Sequence, residues 1–431
     1  MDPAIITLCV LGVAAFLFIT ELIPLAVTAM AACTALGILG VLPSKAVYAG
    51  MSNSTVVLFG GMFVIGAAMF KTGLAEAIGV AVVKKAGTNE IPLMAAIMTV
   101  TIILSAVSSN TGTVACLMPV IIGICTVAKL PASKQLMPLA IAANVGGTIT
   151  MIGTPPNVIV TGALTTAGLP TFGFFEFAWI GIPLSLVITI YTLFIGRHMI
   201  AAKSAGAMDE EALKAAKEEA GASDDDAPKS KTKMWISGLI LIGVVLCMAL
   251  DLKTVPLHTA AVTGAILCVV TGCLKEKEAY AGIDWVTIFL FAGMLSVATA
   301  MEKTGAGKLI ADTVVSMMGT NPNPYVLTAV LFLISNVLTQ FMSNTASAAL
   351  LAPIGISIAQ SIGADPKPVL MALGIAASCA FATPMATPPN TLVLGPGGFS
   401  FNDYAKVGVP MCVISLIVCL VVIPIVWPFG M

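Results

Sequence analysis

The amino-acid sequence predicts an all-α polytopic membrane protein made of two inverted-topology repeats. Each repeat has five spanning helices, one of them broken, and a re-entrant hairpin. Three observations predict this fold. The chain is 58% hydrophobic and 10% charged, with a mean hydropathy of +1.04, and apolar runs of spanning length recur along it, a membrane composition rather than a soluble one. Its second half repeats its first. Polar, helix-breaking motifs also interrupt the apolar sequence in two matching pairs.

At a shift of 232 residues Pro24 matches Pro256, Tyr48-Ala49-Gly50 matches Tyr280-Ala281-Gly282, and Lys71-Thr72-Gly73 matches Lys303-Thr304-Gly305. The shift is 234 between Ser109-Asn110-Thr111 and Ser343-Asn344-Thr345, and 233 between Gly153-Thr154-Pro155-Pro156-Asn157 and Ala386-Thr387-Pro388-Pro389-Asn390. Later, Gly181-Ile182-Pro183 answers Gly408-Val409-Pro410. Duplication on this scale in a membrane chain points to a binding site where the repeats meet.

In the first repeat, about residues 1–200, apolar runs predict spanning helices at about 4–20, 23–42, 55–71 and 175–197. A further helix at about 136–167 is broken at the Gly153 to Asn157 loop. The stretch 91–127 is apolar on both sides of Asn110-Thr111-Gly112, with arms of about 17 residues and a polar centre. That suits a hairpin whose tip stops near the midplane. Five crossings plus such a hairpin make an odd number, so the second repeat, 234–431, is inverted, with its hairpin at 325–361 and its broken helix at 367–395. Residues 201–233 form a linker rich in Ala, Glu, Asp and Lys, with an acidic triplet at Asp224-Asp225-Asp226. A short solvated helix is expected from Asp209 to Ala220, and flexible tether elsewhere.

Of the 20 Lys and Arg residues, this topology puts fifteen on the linker side and five on the other, or nine against five without the six linker lysines. The positive-inside rule then makes the linker and the 91–127 hairpin cytoplasmic, and places the 325–361 hairpin and both termini outside. Trp179, Trp235, Trp285 and Trp427 fall near predicted helix ends, as interfacial aromatics do. The apolar run Ile5 to Thr20 lacks a basic start and recurs at Trp235 to Leu250, which predicts a mature spanning helix rather than a signal peptide. Net charge is -1, and neither a basic patch nor zinc-finger spacing suggests nucleic acid. The ten cysteines, scattered and without C-x-x-C, read as small buried hydrophobes.

Each polar break places hydroxyls, a carboxamide and helix breakers where an unpaired backbone group costs several kcal/mol unless it lines a cavity or a ligand. A hairpin tip broken at Asn-Thr presents helix N-terminal N–H groups to an anion. Unwound turns present carbonyl oxygens instead, which suit a small hard cation such as Na+. Ser105 precedes Asn110 by five residues and Thr339 precedes Asn344 by five. On a helical arm each hydroxyl then lies about one turn below the tip, where hydroxyl, carboxamide and carbonyl oxygens make a Na+ cage without a carboxylate.

No Asp, Glu, Lys, Arg or His is expected near the middle of a span, where proton relays usually carry one. Glu21, Glu76, Asp251, Glu302 and His258 fall near helix ends instead. An intramembrane enzyme would need a nucleophile with a base, or metal ligands such as H-E-x-x-H, and the two histidines sit near membrane edges. The other alternative to a transporter is a membrane scaffold that merely retains duplicated polar breaks.

The paired Ser-Asn-Thr motifs at 109–111 and 343–345, with Gly-Thr-Pro-Pro-Asn at 153–157 and Ala-Thr-Pro-Pro-Asn at 386–390, resemble the divalent anion:sodium symporter family, DASS, of the ion transporter superfamily. The resemblance implies a cell (inner) membrane homodimer in which a transport domain moves elevator-fashion against a scaffold. It implies substrates among di- and tricarboxylates or sulfate, usually coupled to Na+. One Na+ would lie near Ser105, Ser109, Asn110 and Gly153, and a second near Thr339, the Met342 carbonyl, Asn344 and Ala386. Substrate carboxylates would meet Ser109, Asn110, Thr111, Thr154, Pro155, Ser343, Asn344, Thr345, Thr387 and Pro388. The chain departs from many relatives in starting directly with the first repeat, without a leading helix.

The expected activity is Na+-coupled import of a small dicarboxylate such as succinate, malate or fumarate. A dianion entering a site without Arg or Lys is costly to desolvate, and two or more Na+ ions offset it. The alternatives are a Na+-independent exchanger, a sulfate or citrate carrier, or another activity of the superfamily such as arsenite efflux or Na+/H+ antiport, the last disfavoured without a buried carboxylate.

Overall fold

A computed structural model describes residues 2–206, 210–219, 230–250, 254–318 and 323–430, and every regular element among them is helical. Helix α1 (Pro3–Thr20) starts where the Asp2 carboxylate accepts the Ala4 N–H and Pro3 occupies a position that needs no donor. Helix α2 (Leu25–Ile38) stops short of the expected residue 42 because Gly40, at φ 72°, turns the chain left-handed ahead of Pro43. A short α3 (Ser44–Val47) leads to α4 (Ser54–Lys71), capped by Asn53. Helix α5 (Leu74–Ala86) was not expected; it is too short to span and follows a left-handed Gly73.

The hairpin is α6 (Glu90–Ser105) and α7 (Asn110–Ala128), and the broken helix is α8 (Ser133–Gly146) and α9 (Pro155–Thr166). Helix α10 (Ala178–Tyr191) runs through a π turn at Thr192–Gly196 into α11 (Arg197–Met199). The linker contributes α12 (Glu210–Glu219). The second half then gives α13 (Lys231–Ala249), α14 (Leu257–Val270), α15 (Glu276–Ala281), α16 (Trp285–Thr304) and α17 (Ala306–Met318). Its hairpin is α18 (Pro324–Thr339) and α19 (Asn344–Ser361), its broken helix α20 (Pro366–Ser378) and α21 (Pro388–Gly397), and its last helix α22 (Phe401–Val426). Seven described helices are long and apolar enough to cross a bilayer, counting the hairpin arm α7 and α10 to α11 as one.

Packing sorts the helices into two groups. In one, α2 lies on α16 and α4 on α14, with α1 and α13 alongside. The crossings are close: a Cβ on Gly61 would sit 2.8 Å from the Ala261 carbonyl carbon, and one on Gly293 would sit 2.8 Å from that of Ala29. The two contacts are equivalent at the shift of 232 residues. In the other group α6 and α7 pack on α8, α18 and α19 on α20, α8 against α21, and α20 against α9, while α10 and α22 border the group. Every residue from Gln135 to Gly146 is buried, as is every residue from Val369 to Ser378, so both broken helices approach their breaks through the protein interior; in the second break Met385 is exposed. Large apolar side chains point outward instead on α1, α10, α13 and α22, among them Phe16, Leu186, Leu239 and Val421.

The described part of the linker departs from a free tether. Ser133 Oγ donates to Ala201 O at 2.7 Å, the Lys203 N–H donates to Ser133 Oγ at 2.8 Å, and the Gly206 N–H donates to Pro396 O at 2.8 Å. Lys203 Nζ adds hydrogen bonds to Gly398 O at 2.6 Å and Asp403 at 3.2 Å. Helix α12 is not solvated all round, since Leu213 and Ala216 are buried and the helix packs on α7. Composition reads the charges of this segment but not the carbonyl and hydroxyl partners its backbone meets. Residues 220–229, including the acidic triplet, lie outside the described residues.

Candidate functional site

The two hairpin tips are built alike. Ser109 and Ser343 take extended N-cap conformations (φ −61°, ψ 129° and φ −53°, ψ 134°), and helices start at Asn110 and Asn344. Ser109 Oγ accepts the Gly112 N–H at 3.2 Å, whereas Ser343 makes no side-chain cap. The two breaks also match. Thr154 and Thr387 are extended at φ −146° and −145°, and each next helix opens on a proline, whose missing N–H is no loss there. The third residue of each new helix braces the carbonyls that the break sets free. Asn157 Nδ2 donates to Gly147 O at 3.4 Å and Thr150 O at 2.9 Å, and Asn390 Nδ2 to Ala380 O at 3.0 Å and Thr383 O at 2.9 Å.

These four breaks meet at one cavity of about 420 Å³, within the range of small-molecule sites. All ten expected substrate residues line it: Ser109, Asn110, Thr111, Thr154, Pro155, Ser343, Asn344, Thr345, Thr387 and Pro388. Of the eight expected cation residues, Ser109, Asn110, Gly153, Asn344 and Ala386 are in the wall. Ser105, Thr339 and Met342 lie behind it, 0%, 0% and 4% exposed. Phe59, Met62, Phe63 and Phe70 of α4 close one side, and Glu21, Gly282 and Asp284 also reach the cavity. The Asp284 carboxylate is taken up as the cap of α16, accepting the Thr287 N–H at 3.0 Å.

Electrostatically, the N-caps of α7, α9, α19 and α21 all line this space, and among the described residues no Lys, Arg or His does. Each helix N-terminus carries the equivalent of roughly half a positive charge. Oxygen atoms gather behind the tips. Ser105 Oγ donates to Ala143 O at 2.7 Å and meets Asn110 Oδ1, while Thr339 Oγ1 donates to Ala377 O at 2.7 Å and meets Asn344 Oδ1. Turned nitrogen-inward, the Asn110 amide would donate to Gly153 O and Ala143 O, each at 3.1 Å. Turned oxygen-inward it completes a ring of oxygens with Ser105 and both carbonyls, an arrangement a hard cation satisfies. Among the described residues no three His, Cys, Asp or Glu side chains converge on a metal site.

Five participants lie outside the repeated motifs. Asn144, 2% exposed, lies in the wall and reaches across to the second half, donating from Nδ2 to Asn390 Oδ1 at 3.0 Å and Thr387 Oγ1 at 3.2 Å. Asn336 and Gln340 hold the second break: Asn336 Nδ2 donates to Ala376 O at 3.0 Å and Cys379 O at 2.9 Å, and Gln340 Oε1 accepts the Ala382 N–H at 2.9 Å. Thr383 Oγ1 donates to Gln340 O at 2.6 Å, as Thr150 does to Ala106 O in the first half. The available signal was a pair of carboxamides four residues apart on an apolar helix, and a lone Asn in another.

The model of a family described as citrate transporter matches residues 15–368 and 341–429. The chain is 30% identical over 433 residues to an uncharacterized transporter of Haemophilus influenzae, covering 95% of this chain and 89% of that one. It is 26% identical to the sodium-dependent dicarboxylate transporter SdcS of Staphylococcus saprophyticus, covering 94% of this chain and 83% of that one. Its fold is similar to that of the YdaH transporter of Alcanivorax borkumensis, with a TM-score of 0.67 at 16% identity over 100% of both chains.

Proposed function

Because this chain belongs to the citrate transporter family, we propose that it is a Na+-coupled symporter importing a small divalent anion, a C4-dicarboxylate such as succinate, malate or fumarate. More coarsely, it is an integral membrane transporter of dicarboxylate or citrate type and not an enzyme. One observation carries the finer reading: four helix N-termini face a single cavity whose wall, among the described residues, holds no basic side chain. N-terminal N–H groups and hydroxyls bind two carboxylates. Partial charges alone leave a dianion poorly compensated once it leaves bulk water, and co-bound cations supply the remainder. Coupling then needs no separate device, because Na+ is part of the binding site.

The oxygen clusters at Ser105, Asn110 and Gly153, and at Thr339, Asn344 and Ala386, are the proposed Na+ positions, with Ser109 and the Met342 carbonyl completing them. The matched hydrogen bonds of the two halves support an inverted repeat of the DASS type, divided at about 1–200 and 234–431. In the elevator motion, the group holding both hairpins and both broken helices would slide against α2, α4, α14 and α16 within a homodimer. Glu21 and Asp284, at helix ends that the lysine count assigns to the linker side, reach the cavity, which supports a state open to the cytoplasm.

The test is uptake of radiolabelled succinate into proteoliposomes holding the purified protein. Uptake is expected in a Na+ gradient and should collapse when K+ or choline replaces Na+. Sodium-insensitive counterflow would instead favour a dicarboxylate exchanger.

A further inference from the structure

Asn144 gives the two ends of the cavity different hydrogen-bond polarity. Asn390 Nδ2 is committed to two carbonyls, Ala380 O at 3.0 Å and Thr383 O at 2.9 Å. Its Oδ1 therefore faces Asn144, and the atom of Asn144 that meets it must be the amino nitrogen. The two protons of that nitrogen go to Asn390 Oδ1 at 3.0 Å and Thr387 Oγ1 at 3.2 Å. Thr387 Oγ1 also receives the Asn390 N–H at 3.4 Å. A hydroxyl has one proton and two lone pairs. Both lone pairs of Thr387 are thus occupied, and its proton has no acceptor among the described residues. Thr387 lines the cavity, so that proton is available to a guest.

The first half lacks this wiring. At the shift of 234 residues the counterpart of Asn144 is Ser378, whose hydroxyl donates within its own helix to Gly374 O at 2.9 Å. Asn157 Oδ1, the counterpart of Asn390 Oδ1, is buried without a partner. Thr154 makes no side-chain cap, so its hydroxyl is free to donate or to accept.

We propose that Asn144 is a positioning residue that, by occupying Thr387 Oγ1 and Asn390 Oδ1 from the opposite half, holds the Thr387 hydroxyl as an obligate donor to one ionised carboxylate of the substrate. The Thr154 end, free to accept as well, takes either a carboxylate or a hydroxyl-bearing group. This rests on the cavity being the dicarboxylate site proposed above.

The experiment compares succinate uptake at saturating Na+ by the full-length protein in proteoliposomes with that of Asn144→Ser, Thr387→Val and the double variant. Each single variant is expected to raise the succinate KM about tenfold with the maximal rate little changed, and the double variant to do no more than the worse single one. A merely structural Asn144 would lower the maximal rate and leave KM in place. Effects that multiply in the double variant, or an unchanged KM in Asn144→Ser, would overturn the proposal. Asn144→Asp, equal in size, keeps the test open should Asn144→Ser not fold; its oxygen donates to neither partner, so its KM should rise at least as far, and an unchanged KM would again overturn it. Wild-type protein without Na+-dependent dicarboxylate uptake would overturn the proposed function itself, whereas wild-type uptake with independent variants overturns only the role of Asn144.

Discussion

The Ser105 hydroxyl lies 2.7 Å from the Ala143 carbonyl oxygen, and the second half repeats that contact at 2.7 Å between Thr339 and Ala377. Each hydroxyl joins the end of a broken helix to the carboxamide of its own hairpin tip. Deleting one removes a single oxygen from a proposed cation site and leaves the cavity wall in place. Ser105→Ala and Thr339→Ala should each raise the half-saturating Na+ concentration about tenfold, with succinate KM at saturating Na+ changed by less than about twofold. Titration of uptake against Na+ checks this, and an unchanged requirement in both variants would remove these hydroxyls from the cation sites.

The two braces of the breaks differ in what depends on them. Asn157→Ala removes the side-chain donor of the Gly147 carbonyl and leaves the Thr150 carbonyl only the Gly153 N–H at 3.4 Å, at a cost of about 1–3 kcal/mol for a buried group left unsatisfied. Asn390→Ala strands Ala380 and Thr383 in the same way and also removes the acceptor of Asn144. Thermal unfolding in detergent should therefore show a larger loss for Asn390→Ala than for Asn157→Ala. Equal losses would mean that the link across the halves contributes nothing to stability.

The close crossing of α4 and α14 makes a sharper test of packing. A methyl group on Gly61 would sit 2.8 Å from the Ala261 carbonyl carbon, whereas one on Gly66 of the same helix meets nothing within 4 Å. Backbone cannot swing aside as a side chain can, so Gly61→Ala should destabilise by about 1–3 kcal/mol. Gly66→Ala should be neutral or mildly stabilising, since alanine is the better helix former. Equal melting temperatures for the two variants would contradict the crossing.

At the edge of α4, Lys71 Nζ lies 3.3 Å from Glu278 Oε1 of α15. Burial acts to raise the Glu278 carboxyl, but the Lys275 N–H and the Lys71 and Lys275 ammonium groups outweigh it and hold it below its ordinary value. A carboxyl lowered by folding stabilises the protein above its unfolded pKa, and that contribution is lost as pH falls through the folded value. The stability gap between wild type and Glu278→Gln, at most about 1 kcal/mol for a partly exposed pair, should be full at neutral pH. It should close on the acid side of the ordinary glutamate pKa of about 4.3. Melting curves across that range check the sign, and a gap that widens on acidification would contradict it.

The candidate site was legible in the sequence because duplication turned weak motifs into strong ones. Ser-Asn-Thr alone is an ordinary helix cap, but its return at 343–345, with a proline loop following each copy, singled out ten residues that share one cavity wall. The same filter hid Asn144, whose counterpart Ser378 does not resemble it, and Asn336 and Gln340, opposite Ile102 and Ala106. Residues that break the repeat leave no repeated signal. The hairpin arms and broken helices stood out because apolar length and helix breakers act locally. The docking of residues 201–206 depends on Ser133 and Pro396, distant in sequence, and composition carries no trace of such partners. Helices α5, α15 and α17 were missed for a related reason, being too short to register as spans.

Binding of labelled succinate to the purified protein as a function of Na+ concentration tests most directly whether cations stand in this cavity where basic side chains would otherwise be needed. Apparent affinity should strengthen steeply with Na+, with a slope of about two or more on logarithmic axes and no matching effect of K+, because each bound ion offsets part of the dianion's charge. Affinity that is flat in Na+, or that K+ supports equally well, would contradict it.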